Sequence, residues 1–235
     1  MPAHPTISEY VVRWQLPTGV EEQLEELVRL IAADRGAPTT LREPRRILED
    51  HLADSLVALE LDHVNWEGHI ADLGAGAGFP GLPLAIARPQ ASVSLVESNT
   101  RKCDFIRGAV RRVGVENTEV VRERVEQWQD GREACDVVVA RALAPLPVVA
   151  EYAAPLLRTR GMLVAWRGRR DPVEEMMGAS AAAELGLEPL DPIPVFPYVG
   201  ALHRHLHVMV KVAPTPGRFP RRPGVARKHP LGRGV

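Results

Sequence analysis

Apolar positions recur at three- and four-residue steps in two early stretches. In residues 18–35, Leu24, Leu27, Val28 and Ile31 fall on one stripe, the period of an amphipathic helix. In residues 45–60, Leu48, Leu52, Leu56 and Leu59 repeat that spacing. From residue 69 the texture changes to short apolar runs: HIADL (69–73), SVSLVES (92–98), TEVVRER (118–124), CDVVVARA (135–142) and GMLVAWRG (161–168). The fourth is almost continuously apolar, as expected for a strand covered on both faces. Helical stretches separate them at 81–88, 99–113, 145–158 and 172–185. Alternating strands and helices predict a mostly parallel sheet with helices on both faces. LEPLDPIPV (187–195) and HRHLHVMVKV (203–212) have no clear helix between them and read as an antiparallel hairpin closing the sheet edge. Residues 214–235, rich in Pro, Gly and Arg, read as an irregular basic tail. The expected division is a helical extension over 1–62, an α/β domain over 63–213 and the tail over 214–235. The pattern assigns no role to residues 1–17.

Composition narrows this little. The chain has 235 residues and a formal net charge of −1, so any nucleic-acid binding must come from local patches. Cys103 and Cys135 form neither a disulfide framework nor a zinc spacing, and point to a reducing cytoplasm. No secretory signal and no run of membrane-span length is evident, so no membrane partner is expected.

The chemistry concentrates in ADLGAGAGFPG, residues 71–81. A glycine-rich turn between a parallel strand and a helix places free amides and a helix N-terminus at the carboxyl edge of the sheet, where such folds bind ligands. Gly74, Gly76 and Gly78 permit positive φ and let a ligand touch bare backbone. GAGFPG (76–81) also matches the G-x-G-x-x-G fingerprint, which alone is weak; a tight turn without a ligand is the plain alternative. Glu97, ending the second strand, sits where an acid accepts ribose hydroxyls, in a nicotinamide cofactor or in S-adenosylmethionine. Asp72 favours the latter, whose ammonium needs an acidic neighbour. Both acids could instead be local turn or strand-end groups.

The segment DLGAGAGFPGLPLAIARPQASVSLVES (72–98) resembles the 16S ribosomal RNA guanine-N7 methyltransferases once called glucose-inhibited division protein B. The resemblance extends to DHLADSL (50–56), RVE (124–126), ARALAPL (140–146), HRHLHVMVK (203–211) and RFPRRPGVARKHPLG (218–232). It implies a Rossmann-like class I methyltransferase with a seven-stranded sheet. The implied activity is S-adenosylmethionine-dependent methylation of a guanine in the decoding-region loop of 16S rRNA, in the cytoplasm, by a monomer without a metal. By matching position, Gly74 and Phe79 contact the cofactor, Val125 and Glu126 flank its adenine, and Arg141 lies at the cofactor or target-base pocket. Two positions depart from the family's pattern. Asp50 stands where many relatives carry a basic residue, which weakens a phosphate role for that helix start. Arg167 stands where many have lysine, which keeps the charge but changes its shape.

Guanine N7 carries a lone pair and no proton, so direct attack on a sulfonium methyl needs no general base. Catalysis then rests on alignment, worth up to ~7–11 kcal/mol. Arg141 is accordingly read as a positioning group, with a strand-end salt bridge as the alternative. RNA contacts are expected from His51, Arg167, Arg221, Arg222 and Lys228. The helix over 100–115 turns Arg101, Lys102, Arg107, Arg111 and Arg112 away from a stripe that includes Cys103, and that face is either an RNA contact or merely solvated. His51, Asp54 and Ser55 share a face opposite the leucines, to touch substrate or cap the sheet. His203, His205 and His207 alternate on one strand face without a nearby acidic cluster, so no metal site is expected. Trp66, Trp128 and Trp166 read as packing. The competing functions are a small-molecule or protein methyltransferase of the same fold, a nicotinamide oxidoreductase, and a non-catalytic ribosome-binding protein.

Overall fold

Strands buried on both faces build the sheet, with alternate residues facing opposite cores. β1 (His69–Leu73), β2 (Ser92–Val96), β3 (Thr118–Val121), β4 (Cys135–Arg141) and β5 (Leu157–Arg167) pair in parallel. β6 (Leu187–Pro189) and β7 (Ile193–Pro194) each pair antiparallel with β8 (His205–Lys211), which is itself antiparallel to β5. The strand order is β3-β2-β1-β4-β5-β8-β6. This computed structural model describes residues 6–232. Ile70, Val137, Val139, Val164 and Val208 face one core, shared with Leu24, Leu27 and Ile31. Their neighbours Ala71, Val138, Leu163 and Ala165 face a second core, shared with Val149, Ala181 and Leu185.

The helices are α1 (Ile7–Arg13), α2 (Val20–Ala33), α3 (Pro44–Ile47), α4 (Asp54–Leu56), α5 (Gly81–Ala87), α6 (Thr100–Val113), α7 (Leu146–Ala153), α8 (Pro172–Leu185) and α9 (Val225–Lys228). α2, α5 and α6 cover the first face of the sheet, and α7 and α8 the second.

Several expectations need correction. The sheet has eight strands, not seven, because the first arm of the closing hairpin breaks between β6 and β7. Pro189, Pro192 and Pro194 have no N–H to donate, so a continuous strand cannot form there. β8 lies between β5 and β6, so the antiparallel hairpin does close this edge of the sheet, as expected. The helix expected over 145–158 ends at Ala153, two residues before Pro155, and β5 starts at Leu157. The helix expected over 45–60 is three kinds of turn in succession. Between α3 and α4 it widens into a π-helical stretch, Leu48–Ala53, and after α4 it tightens into the 3-10 turn Val57–Glu60. Residues 1–17 contain α1, begun by a capping box in which Thr6 and Glu9 satisfy each other's backbone. Arg13 at its end pairs with Glu60 and donates to the carbonyls of Phe196 and Pro197.

The segment after Ala213 is folded onto the second core. Phe219 and Ala226 are buried, and Arg221 grips Glu151 of α7, whose carboxylate is fully buried. Arg221, expected from the sequence to contact RNA, is thus paired within the fold. Replacing it with alanine would leave Glu151 charged, buried and unpaired. Arg221→Ala is expected to cost roughly 3 kcal/mol in urea denaturation. An unchanged midpoint would mean that the pair contributes nothing. Arg233 lies outside the described residues.

Candidate active site

Order reverses at β1, whose neighbours β2 and β4 lie on opposite sides, so a crevice opens beyond the carboxyl ends of these strands. The chain leaves β1 through Gly74 and Gly76, both left-handed at φ 72° and 59°. Gly74 N–H donates to Val96 O at 2.8 Å, tying the turn to the end of β2. Glu97 completes the tie: Oε2 accepts from Gly76 N at 3.3 Å and Oε1 from Asn99 N at 2.8 Å.

The glycines divide by duty. A Cβ on Gly78 would come within 2.4 Å of Leu82, and one on Gly81 within 2.3 Å of Leu95, so both serve close packing. A Cβ on Gly76 would meet only Gly74 O, at 3.6 Å; beyond it the space is open. Beneath the loop, buried Asp72 accepts from Gly81 N at 2.9 Å through Oδ2, while Oδ1 has no hydrogen-bond partner. Burial pushes its carboxyl up to about 7, against the lowering effect of the Gly81 N–H.

Two neighbouring clefts share a wall here. The first, about 420 Å³, is lined by Gly74, Glu97, Lys102, Val125, Glu126, Leu143 and Arg227. The second, about 300 Å³, is lined by Asp54, Arg141, Trp166, Arg167, Arg204 and His207. Ala142 borders both, at φ 52°. A left-handed alanine costs about 1 kcal/mol, and such strain gathers at functional sites.

Arg141 ends β4 and lines the second cleft, with its guanidinium 5.7 Å from the ring of Phe79 in the glycine loop. Its guanidinium reaches Asp54 Oδ2 at 2.9 Å, the carbonyls of Asp50 and His51 at 3.3 and 3.4 Å, and His51 Nδ1 at 3.3 Å. It fastens the π-helical stretch to the sheet. Since Nδ1 of His51 faces a guanidinium donor, the network assigns the proton to Nε2, which lies 2.8 Å from Thr39 Oγ1. Burial and Arg141 lower the His51 pKa to about 4, so this ring is neutral at pH 7 and carries no charge toward phosphate. It stacks on Phe79, with centroids 4.6 Å apart. Phe79 is itself buried and faces His51 and Arg141, outside the lining of the first cleft. Asp54 and Ser55 are buried as well, so the face they share with His51 packs against the site instead of facing solvent.

The remaining expected residues separate clearly. Glu126 Oε1 accepts from Gly224 N at 3.0 Å, which brings the C-terminal segment into the wall of the first cleft. Arg167 is held by Ala144 O at 2.9 Å and by Glu174, so its charge is balanced inside the fold. On α6, Arg107 pairs with Asp104 and Arg112 with Glu26, which leaves less of a basic face than the sequence suggests. Arg222 and Lys228 are exposed and make no ion pair among the described residues. Of the three histidines, His203 precedes β8 with φ 57° and does not share the strand face; His207 is buried, and its pKa is lowered to about 4 by burial. Trp66, Trp128 and Trp166 are buried, as is Cys103.

The profile of the family described as GidB, rRNA small subunit methyltransferase G, matches residues 21–190. The chain belongs to this family. A Rubrobacter xylanophilus protein named ribosomal RNA small subunit methyltransferase G is 42% identical over 88% of this chain and 82% of its own length. One of the same name from Deinococcus radiodurans is 40% identical over 90% and 85%. Among solved structures, a SAM-dependent methyltransferase from Aquifex aeolicus superposes with a TM-score of 0.56 at 15% identity, covering 71% of this chain and 93% of that one. The fold is thus the Rossmann-like one of S-adenosylmethionine-dependent methyltransferases. No helix among the described residues of this methyltransferase G family chain is long and apolar enough to cross a membrane.

Sequence reasoning missed Arg204. It lies 3.3 Å from Asp54 Oδ1 and 3.5 Å from Asp50 Oδ1, whereas Asp50 also holds Arg46 and Tyr198. The signal lies in HRHLH, where Arg204 stands between two of the alternating histidines. Leu143, Tyr152 and Arg227, which also line the first cleft, carry no pattern of their own.

Proposed function

We propose that this chain transfers the methyl group of S-adenosylmethionine to N7 of a guanine in the decoding-region loop of 16S rRNA. The observation that carries the reading is that two neighbouring clefts, one lined by Gly74 and one by Arg141, share Ala142 as a wall residue. A donor and an acceptor can thus be held on either side of one backbone position.

The residues present fit the cofactor on two counts. Asp72 has a buried oxygen without a partner, suited to an ammonium, and the position of a Gly76 Cβ is open. Glu97 would take the ribose hydroxyls, and Val125 and Glu126 would flank the adenine. When bound, S-adenosylmethionine supplies an electrophilic methyl on a positively charged sulfur. The chain's own contribution is alignment: the Glu97 tie fixes the loop, and Arg141 fixes the opposite wall. No group has to remove a proton, because N7 bears none. The reaction would occur in the cytoplasm, with a monomer as the active form. The direct test is tritiated-methyl transfer to unmethylated small subunits, followed by mapping of the modified nucleotide; label at a base other than guanine would overturn the assignment.

The Asp72 assignment makes a pH prediction. In the free protein its carboxyl titrates near 7, and an ammonium partner would hold it deprotonated. Affinity for S-adenosylhomocysteine is therefore expected to be full above pH 7 and to fall as pH drops through it, by up to about tenfold per unit. Calorimetry from pH 5.5 upward would check this, and a flat profile would separate Asp72 from the ammonium.

Arg222 and Lys228 are the proposed phosphate contacts of the C-terminal segment. Removing both should weaken small-subunit binding and reduce the slope of log affinity against log salt by roughly 1 to 2. An unchanged slope would exclude them.

A further inference from the structure

We propose that Asp54 recognises the donor edge of the target guanine. The inference rests on the function proposed above and deepens it, by naming what selects the base. Asp54 lines the second cleft although it is only 6% exposed. Arg141 holds Oδ2 at 2.9 Å. Oδ1 has no hydrogen-bond partner; Arg204 Nε is 3.3 Å away but not aligned to donate. The other acids of the cleft are occupied or solvated. Asp171 caps α8 through Val173 N and Glu174 N, Glu174 accepts from Leu146 N and pairs with Arg167, and Glu175 takes Arg170. Among the cleft's described carboxylates, Asp54 alone has a buried oxygen that accepts no hydrogen bond, with Arg204 beside it as an ion-pair partner only. Buried acceptors are rarely left so, which marks the position as one that a ligand completes.

The chemistry selects the ligand. On the edge away from N7, guanine carries two donors, N1–H and the 2-amino group; adenine carries an acceptor at N1. A carboxylate therefore accepts from guanine and repels adenine. Gripping guanine by that edge also leaves N7 unobstructed. During transfer the carbon–sulfur bond breaks as the N7 lone pair forms the new carbon–nitrogen bond. The sulfur becomes a neutral thioether, and the positive charge passes to the purine. N1–H and the 2-amino group become stronger donors at that moment. A fixed carboxylate beside them binds the transition state more tightly than the ground state. Arg141 acts through Asp54, by holding its other oxygen.

The test compares small subunits carrying guanine or inosine at the methylated position, since inosine lacks only the 2-amino group. The wild-type chain should prefer guanine by roughly 10- to 100-fold in kcat/KM, the loss expected for one hydrogen bond to a charged group. Asp54→Asn should bring that ratio near one, because the amide cannot serve both Arg141 and the base as an acceptor. If Asp54 merely anchors Arg141, both substrates will slow in the same proportion, and the proposal fails. Should Asp54→Asn not fold, as judged by thermal melting, Asp54→Glu displaces the oxygens while keeping the charge and should also compress the ratio. A wild-type ratio near one overturns the proposal without any variant. A wild-type chain that binds S-adenosylhomocysteine yet leaves guanine subunits unmethylated removes the function on which the proposal rests, a different result from methylation without discrimination.

Discussion

Gly76→Val should abolish binding of S-adenosylhomocysteine, raising its Kd by more than about 100-fold while the fold persists. The two halves of that expectation have separate causes. At φ 59° a branched residue is strained, which costs the loop about 1–2 kcal/mol, well within what a domain tolerates. The Cβ itself meets no packed side chain, only Gly74 O at 3.6 Å, so no core group has to move. What the added methyl groups enter is the open space where the cofactor would lie. Gly78→Val is the informative contrast, because its Cβ would fall 2.4 Å from Leu82 and damage packing directly. Calorimetry beside a thermal melt separates the two. Wild-type affinity in Gly76→Val would move the cofactor away from this turn.

Arg141→Ala is expected to lower kcat by about 100-fold or more, the scale on which small misplacements in an aligned site act. Cofactor affinity should change little, since Arg141 lines the other cleft. The loss has a structural component, for Asp54 is left buried beside Arg204 alone. Arg141→Lys addresses this. It keeps a charge near Asp54 but loses the fork that spans Asp54, His51 and two backbone carbonyls. The lysine variant should melt close to wild type and still transfer slowly. Full turnover in either variant would remove Arg141 from the reaction.

The sheet was legible because burial on two faces writes itself as apolar runs, and the glycine turn because only bare backbone tolerates its angles. The π-helical stretch was not, since Leu48, Leu52 and Leu56 keep helical spacing whether the turn holds 3.6 residues or more. Nor was the inward use of charge. His51, Arg167 and Arg221 look like phosphate ligands in a linear sequence, and only folding brings Arg141, Glu174 and Glu151 against them. Conversely, Pro155 is a sequence signal for the early end of α7, because a proline cannot continue the helix. Long-range ion pairs leave no periodic trace, so charges are the residues whose roles sequence patterns describe least.

The contact of Gly224 with Glu126, and that of Arg227 Nη2 with Leu143 O at 3.1 Å, bear on how this enzyme comes into being. Part of the wall of the first cleft, where the methyl donor is proposed to lie, comes from the segment that follows the eighth strand. A nascent chain that has emerged only through its eighth strand would have the glycine turn but lack the flank that closes around it. Truncation after Ala213 should therefore cost donor capture as well as RNA affinity.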